Sequence, residues 1–508
     1  MSPAVPHPWL AHPRARSLLA LASGALLATS VVNPSGTPFP AIAFPFAGLM
    51  LVALDGAPTI KRAAWLGWLA GFGCNAVAFY WIVGLLQAFA YFPLVAAIPV
   101  AALLWAAQGL TMALAAAFAA SVRRAGVPLW VGFPLAVIAA FGASPSLFPW
   151  NPSASLVDWT EVAQVAELGG AALLDAVLLF TGAGAFEAMR RRRALPTVVA
   201  LVALFGAWTF GLLRLPALEA TYEEAPTLRV GVVQPNVGIH DKRDRRLAPR
   251  HLLQLRSMTA ELERQGAEVV LWPETAYPYP MGRGMDYEPV GTYRMRAIGS
   301  NVPLLAGTIT RGGECERWNS VVAVTPEGRI AGVADKVVLL HFGETVPGWH
   351  VLPPLRDYFR CPGLTAGETP SVLPSAGARV GVLNCYEDVL ADATRDVAAL
   401  DPQWLANFTN DAWFGDTAEP HLHQLIARLR AIESRRELVR AVNTGVSSHV
   451  RADGVSLIET PTFEPASFVA EVTLLEGVTL HTWLGDWVTS LVLGVLLGLL
   501  VVVSFHRE

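Results

Sequence analysis

Apolar runs about as long as a bilayer's hydrocarbon is thick constrain this chain more than any other feature of its sequence. Seven precede residue 215, near 17–33, 39–55, 63–85, 94–121, 127–147, 164–188 and 195–213, and an eighth, Trp487 to Ser504, lies near the end. A helix needs about 20 apolar residues to cross the hydrocarbon, so each run reads as a membrane span. Prolines interrupt the second and the fifth. Composition agrees: 15% of residues are charged, 53% are hydrophobic and mean hydropathy is +0.43, values foreign to soluble domains. Arg14 and Arg16 before the first run resemble the start of a secretory signal. Further apolar runs follow at once, so an uncleaved helix is expected.

Basic residues orient these spans. Arg14 and Arg16 precede the first, Lys61 and Arg62 follow the second, Arg123 and Arg124 follow the fourth, and Arg190 to Arg193 follow the sixth. The loops near 34–38, 86–93 and 148–163 contain no Lys or Arg. A basic loop at every second turn is the positive-inside pattern, which places the N-terminus in the cytoplasm. Seven crossings then deliver the chain after Leu215 to the outer side, and the eighth returns the C-terminus to the cytoplasm. The expected organisation is a transmembrane domain over 1–215, a linker over 216–226, an outer domain over 227–475 and a closing helix over 486–505. The net charge of −4 gives no reason to expect a nucleic-acid partner.

Between Thr227 and Leu475 the pattern changes to that of an α/β domain. Leu228–Gln234, Val269–Glu274, Val302–Thr308, Ala378–Leu383 and Gln403–Thr409 read as strands. Arg250 to Gln265 reads as a helix, and a longer helix is expected from Glu419 to Val439. Ser320–Thr325 with Arg329–Val333, and Val446–Arg451 with Ser456–Glu459, have hairpin turn residues between them. Strands alternating with helices point to sheets covered by helices.

Three strand ends carry candidate chemistry. The stretch Gly381-Val-Leu-Asn-Cys-Tyr-Glu-Asp388 places a thiol where a buried strand turns into a polar segment. Val269-Val-Leu-Trp-Pro-Glu274 ends a strand in a carboxylate, and Gly332-Val-Ala-Asp-Lys336 ends one near an ammonium. A thiol nucleophile needs a base to form thiolate and a donor for the oxyanion that follows its attack; Glu274, Lys336 and Cys385 supply these types. Each has an ordinary reading as well: Cys385 as a buried core thiol, Glu274 as a helix-start carboxylate, Lys336 as a solvated surface residue. Against the first, Tyr386-Glu387-Asp388 is too polar for a core, and an oxidising outer compartment would not spare an idle thiol. Glu344, in Phe-Gly-Glu-Thr-Val-Pro, has a turn as its ordinary reading.

Other signals lead elsewhere or nowhere. The four cysteines form no C-x-x-C pair; Cys315 and Cys361 stand apart from the chemistry, with pairing left open. His421 and His423 form an H-x-H without a carboxylate at ligand spacing, so no metal is expected. Asn407-Phe-Thr409 fits a glycosylation sequon but lies in a strand, and no serine sits in a G-x-S-x-G.

Together these motifs resemble the nitrilase (carbon–nitrogen hydrolase) superfamily and, within it, the membrane-bound apolipoprotein N-acyltransferase family. Trp-Pro-Glu274, Asp-Lys336, Phe-Gly-Glu344-Thr-Val-Pro and Asn-Cys385-Tyr-Glu387 occur in the family's order. Asn407-Phe-Thr-Asn-Asp-Ala-Trp413-Phe414-Gly resembles the segment after the nucleophile. Two departures stand out: Val337-Val-Leu-Leu-His341 replaces a usual proline path, and His240-Asp-Lys-Arg243 lies where the family carries a tryptophan.

The resemblance implies a multi-span helical membrane domain joined to an α-β-β-α sandwich. It implies ping-pong acyl transfer through a cysteine thioester with a Glu274–Lys336–Cys385 triad and no cofactor. The donor would be a membrane phospholipid and the acceptor the N-terminal amine of a diacylated apolipoprotein, at the bacterial inner membrane with the catalytic domain outside. Glu344 and Glu387 would position groups around the centre, with Tyr386, Trp413 and Phe414 shaping the acyl pocket. A monomer is expected. The aromatic stretches Ala276–Tyr293 and Val346–Phe359 read either as lipid-dipping arms or as ordinary packed loops. Two other functions fit parts of the pattern: a tethered amidase that resolves the thioester with water, and a transporter with a ligand-binding outer domain. Against transport, few ionisable residues (Glu167, Asp175 and Glu187) lie in or near the spans.

Overall fold

The computed structural model describes residues 12–32, 37–349 and 351–505. Two compact units emerge: one takes in residues up to Ala217 with Thr417–Leu425 and the segment from Leu484, the other Leu218–Asp416 with Ile426–Trp483.

The first unit is helical at each of the eight apolar runs. Its helices cover Pro13–Thr29, Pro45–Asp55, Ile60–Ala78, Leu94–Gln108 continuing as Leu110–Arg124, Leu129–Ala143, Ala166–Arg191, Ala194–Glu224 and Trp487–Phe505. Among the described residues, three are long and apolar enough to cross a membrane: Leu94–Arg124, Ala166–Arg191 and Ala194–Glu224. A fourth qualifies if Ile60–Ala78 and Ile82–Ala90, bent by 58° at their junction, form one span. Val95, Leu103, Val202 and Leu213 lie exposed along two of these helices, as suits helices whose solvent is hydrocarbon. The basic loops gather at one end of the unit. Arg62 donates to the carbonyl of Pro13 at 2.7 Å, and Asp55 pairs with Arg123 at 2.9 Å and with Arg190.

The stretch read as a linker is helical as far as Glu224, with Pro216 inside the helix.

The second unit is a two-sheet sandwich. Its strands are β1 Thr227–Gln234, β2 Val269–Trp272, β3 Met281–Gly282, β4 Leu304–Arg311, β5 Arg317–Val324, β6 Ile330–Asp335, β7 Ser371–Ser375, β8 Ala378–Asn384, β9 Trp404–Thr409, β10 Leu438–Val442, β11 Ser448–Val450, β12 Ser456–Glu459 and β13 Ala466–Thr473. One sheet runs β13-β1-β2-β4-β5-β6 with β3 beside β4; the other runs β12-β11-β10-β9-β8-β7. The centre of each is parallel, β1-β2-β4 in the first and β8-β9-β10 in the second.

Alternation along the strands builds the layers, because successive side chains point to opposite faces. Val269 and Leu271 join Val380, Val382, Ala406 and Phe408 in the core between the sheets. Val270 and Trp272 face outward onto Leu252, Leu255 and Leu262 of the helix Ala248–Arg264. On the far side Leu383, Leu405 and Leu438 pack against Val397, Ala427 and Ala431 of two further helices. That is the α-β-β-α order.

The helix expected to reach Val439 ends at Ser434, and Leu438–Val442 is the buried strand β10. Arg435 turns the chain with φ of 50°, and two valines in a fully buried stretch favour a strand over further helix. Strands β3, β7 and β13 had no counterpart in the sequence reading. Cys315 and Cys361 form a disulfide.

Candidate active site

The carboxyl-terminal ends of β2, β6 and β8, with the turns after them, converge on one cluster. Strand β2 leads through Pro273 to Glu274, which is 6% exposed. Its close approach to β4 requires a glycine: a Cβ on Gly307 would overlap the Pro273 carbonyl and lie 2.7 Å from the Cα of Glu274. Lys336 directly follows β6 and is 1% exposed. Its backbone N–H donates to Asn319 of β5 at 2.8 Å, which fixes where the side chain starts. Cys385 follows β8 with φ of 50°, and its side chain is partly exposed. A non-glycine residue in the left-handed region is uncommon and clusters at functional turns.

The carboxylates and the ammonium form a network. Lys336 Nζ lies 2.8 Å from Glu344 Oε2 and 3.9 Å from Glu274 Oε1. Asn319 Nδ2 donates to Glu274 Oε1 at 2.5 Å and to Glu344 Oε1 at 3.3 Å. Glu344 also accepts from the Leu340 N–H at 2.9 Å. Its segment is held by Gly363, where φ is +116° and a Cβ would lie 2.9 Å from the Cα of Thr345.

Glu387 links the lysine segment to the thiol segment through backbone donors. Its Oε1 accepts from the N–H groups of Val337 and Val338 at 2.7 and 2.9 Å, and its Oε2 accepts from Asn384 at 2.8 Å. Behind the turn, the wholly buried Asp388 accepts from Arg440 Nε at 2.9 Å. Asn407 Nδ2 donates to the Cys385 carbonyl at 3.0 Å, so the sequon asparagine is a buried strand residue.

Burial dominates the titrations. It raises the Glu274 carboxyl, against the opposing pull of Lys336. It raises the Cys385 thiol well above its usual value, with Glu274 adding to the rise and Lys336 opposing it. Burial alone would lower Lys336, but Cys385, Glu344 and Glu274 more than offset it and hold the ammonium charged. An acid with raised affinity for protons, beside a cation coupled to the sulfur, is suited to moving the thiol proton back and forth.

Tyr386 stands next to the sulfur, half-buried, and its hydroxyl is raised first by burial. Trp413 lines a cavity with Lys242, Thr275 and Asn410, and Arg243 lies over its ring at 5.8 Å. Phe414 closes the same turn by donating its N–H to the Asp411 carbonyl at 3.1 Å. His423 does have a carboxylate one turn earlier on its helix, Glu419, with 3.9 Å between them.

Two site residues escaped the sequence reading. Asn319 signals itself only as a buried amide that breaks an apolar strand. Lys242 donates to the Glu274 carbonyl at 3.0 Å and is electrostatically coupled to Glu274 and Cys385. It belongs to the basic stretch that departs from the family's tryptophan.

A two-sheet sandwich with acid, ammonium and thiol at its strand ends defines a domain of the carbon–nitrogen hydrolase class, and the Carbon-nitrogen hydrolase family model matches residues 229–477. The model of the Apolipoprotein N-acyltransferase N-terminal domain matches residues 23–184. An apolipoprotein N-acyltransferase of Azotobacter vinelandii is 31% identical over 504 residues, covering 95% of this chain and 94% of that one. Another, from Geobacter metallireducens, is 28% identical over 494 residues, covering 93% and 92%. A solved amidase of the nitrilase superfamily from Nesterenkonia is 19% identical and covers 53% of this chain and 96% of that one, with a TM-score of 0.37. The chain belongs to the apolipoprotein N-acyltransferase family.

Proposed function

We propose that this chain matures bacterial lipoproteins by moving an acyl chain from a membrane phospholipid to the N-terminal amine of a diacylglyceryl-cysteine. What supports the reading is the electrostatic coupling of Lys336 to both Glu274 and Cys385 within a chain of this family. Glu274 takes the proton of the Cys385 thiol, and the thiolate attacks the acyl ester carbonyl. Lys336 and backbone N–H groups after the nucleophile stabilise the oxyanion; losing such a donor typically costs about 10²–10³ in rate. The ester C–O bond breaks, the lysophospholipid leaves with the proton from Glu274, and a thioester remains. The acceptor amine then attacks the thioester, Glu274 takes its proton, the C–S bond breaks and an amide is formed.

Burial serves this chemistry. A solvated carboxylate is a weak base for a thiol, whereas Glu274 in its enclosed site binds a proton more tightly. Glu344 holds Lys336, and Glu387 keeps the lysine and cysteine segments in register. In this reading the helices of residues 1–215 and 486–505 lie in the inner membrane with both termini cytoplasmic. The catalytic domain over 227–475 then works on the outer side, as a monomer. Exposed Val351, Leu352 and Tyr358 on the second aromatic arm suit contact with lipid. Both substrates carry acyl chains, and each buried methylene is worth about 0.8 kcal/mol, so the enzyme works at the bilayer surface.

The test mixes the full-length protein in detergent with phosphatidylethanolamine and a diacylglyceryl-cysteine peptide. An N-acylated peptide that disappears in Cys385→Ala is expected. Free fatty acid in its place would make the chain a lipid hydrolase, and turnover surviving Cys385→Ala would end the proposal.

A further inference from the structure

Beside the acid–lysine–thiol cluster lies a cavity of about 520 Å³ with apolar walls that include Ile239, Leu255 and Ile309. Lys242, Arg243, Arg245 and Arg317 also line it, against a single carboxylate, Asp244, while burial lowers the His251 pKa and favours its neutral ring. That carboxylate is already taken, because Arg246 lies 2.7 Å from it. In a chain with 37 basic and 41 acidic residues, such a one-signed lining is a local arrangement and not the average surface.

The cations around this cavity are also under-used. Among the described residues, neither Arg245 nor the half-buried Arg317 has a side-chain hydrogen bond or ion pair. Lys242 makes one hydrogen bond, to the Glu274 carbonyl at 3.0 Å, leaving two of its three protons for another acceptor. Burial pushes its pKa down to about 8, further than Glu274 and Cys385 pull it back up. An anion with several oxygens would meet all of these deficits together, since guanidinium forks and ammonium groups are the usual phosphate partners.

We propose that this cavity is a phosphodiester subsite that seats the headgroup phosphate of the acyl donor beside Cys385. The inference rests on the phospholipid-donor reading above and deepens it. A free phosphate shares the ligand chemistry, and the test separates the two.

Full-length Cys385→Ala protein in a phosphate-free detergent is titrated calorimetrically with glycerophosphoethanolamine, the headgroup without acyl chains, and separately with inorganic phosphate. The headgroup is expected to bind more tightly than phosphate. One lost charge-assisted hydrogen bond should weaken it by about tenfold in Arg317→Gln and in Arg245→Glu. Arg245 is exposed, so its replacement does not threaten folding, and Arg317→Lys, which keeps the charge, should retain most of the affinity.

No headgroup binding, or binding that ignores both Arg317→Gln and Arg245→Glu, overturns the subsite. Phosphate binding as tightly as the headgroup, and sensitive to the arginines, would assign the cavity to free phosphate instead. Phosphate binding that ignores them would mark an adventitious ion only. Headgroup binding without any acyl transfer in wild-type protein would sink the functional reading alone, while transfer without headgroup binding would sink the subsite alone.

Discussion

Replacing Gly307 with alanine should displace Glu274, the proposed proton acceptor, and slow acylation while leaving the fold in place. A Cβ at this position would lie 2.7 Å from the Cα of Glu274 and would overlap the Pro273 carbonyl. Ordinary carbon–carbon contact is about 3.5–4.0 Å, so the Pro273–Glu274 segment must retreat by about 1 Å. Glu274 Oε1 is held at 2.5 Å by Asn319 and lies 3.9 Å from the Lys336 ammonium, and a retreat of that size disrupts both. Misplacing a catalytic group by about 1 Å costs about 10²-fold in rate, whereas overpacking one methyl costs about 1–3 kcal/mol of stability. The assay follows acyl-enzyme formation on mixing with phospholipid, by intact mass, alongside thermal melting. Gly206→Ala is the control, because a Cβ there meets open space. Acylation of Gly307→Ala at the wild-type rate in a folded protein would refute the idea that β4 sets the position of Glu274.

The acidic limb of the acylation rate should lie above the ordinary carboxylate range, because burial raises Glu274. Below that raised pKa the group is protonated and cannot take the thiol proton, so the rate falls as pH falls through it; a stopped-flow pH profile whose limb sits at the usual glutamate value would contradict this. Asp388→Asn should destabilise the protein by about 3–5 kcal/mol, since it leaves the wholly buried Arg440 guanidinium without its carboxylate. Thermal denaturation of the full-length protein checks it, and a melt within a degree of wild type would show that the pair does not brace the turn after Cys385.

Much of the site was legible because Glu274 and Cys385 end buried strands, which announce themselves as short apolar runs, while Lys336 ends the partly exposed strand β6, found through its hairpin turn. Each of the three follows a strand, so locating the strands brought these residues out as candidates. Asn319 and Lys242 were not legible in that way. An amide inside a strand looks alike whether it bonds a catalytic carboxylate or a neighbouring carbonyl, and only the pairing of β5 decides. Lys242 sits on a five-residue helix, Ile239–Arg243, whose approach to Glu274 depends on tertiary packing. The misplaced end of the helix Glu419–Ser434 has a related cause. Leu438-Val-Arg-Ala-Val442 continues an apolar pattern that suits helix or strand, and the sheet between β9 and β11 settles it. The helix Ala194–Glu224 carries on through Pro216 into the stretch read as a linker, where Leu-Glu-Ala-Thr-Tyr-Glu-Glu224 consists mostly of residues a helix accepts.

The central claim is that the sulfur of Cys385 carries the acyl group between substrates. Intact-mass analysis of the full-length protein after incubation with phosphatidylethanolamine, without acceptor, tests it most directly. The account predicts a mass increase of one acyl chain, mapped to Cys385, absent in Cys385→Ala and discharged when a diacylglyceryl-cysteine peptide is added. Acyl transfer to the peptide at full rate by a protein that never carries the acyl mass, or that carries it elsewhere, would contradict it.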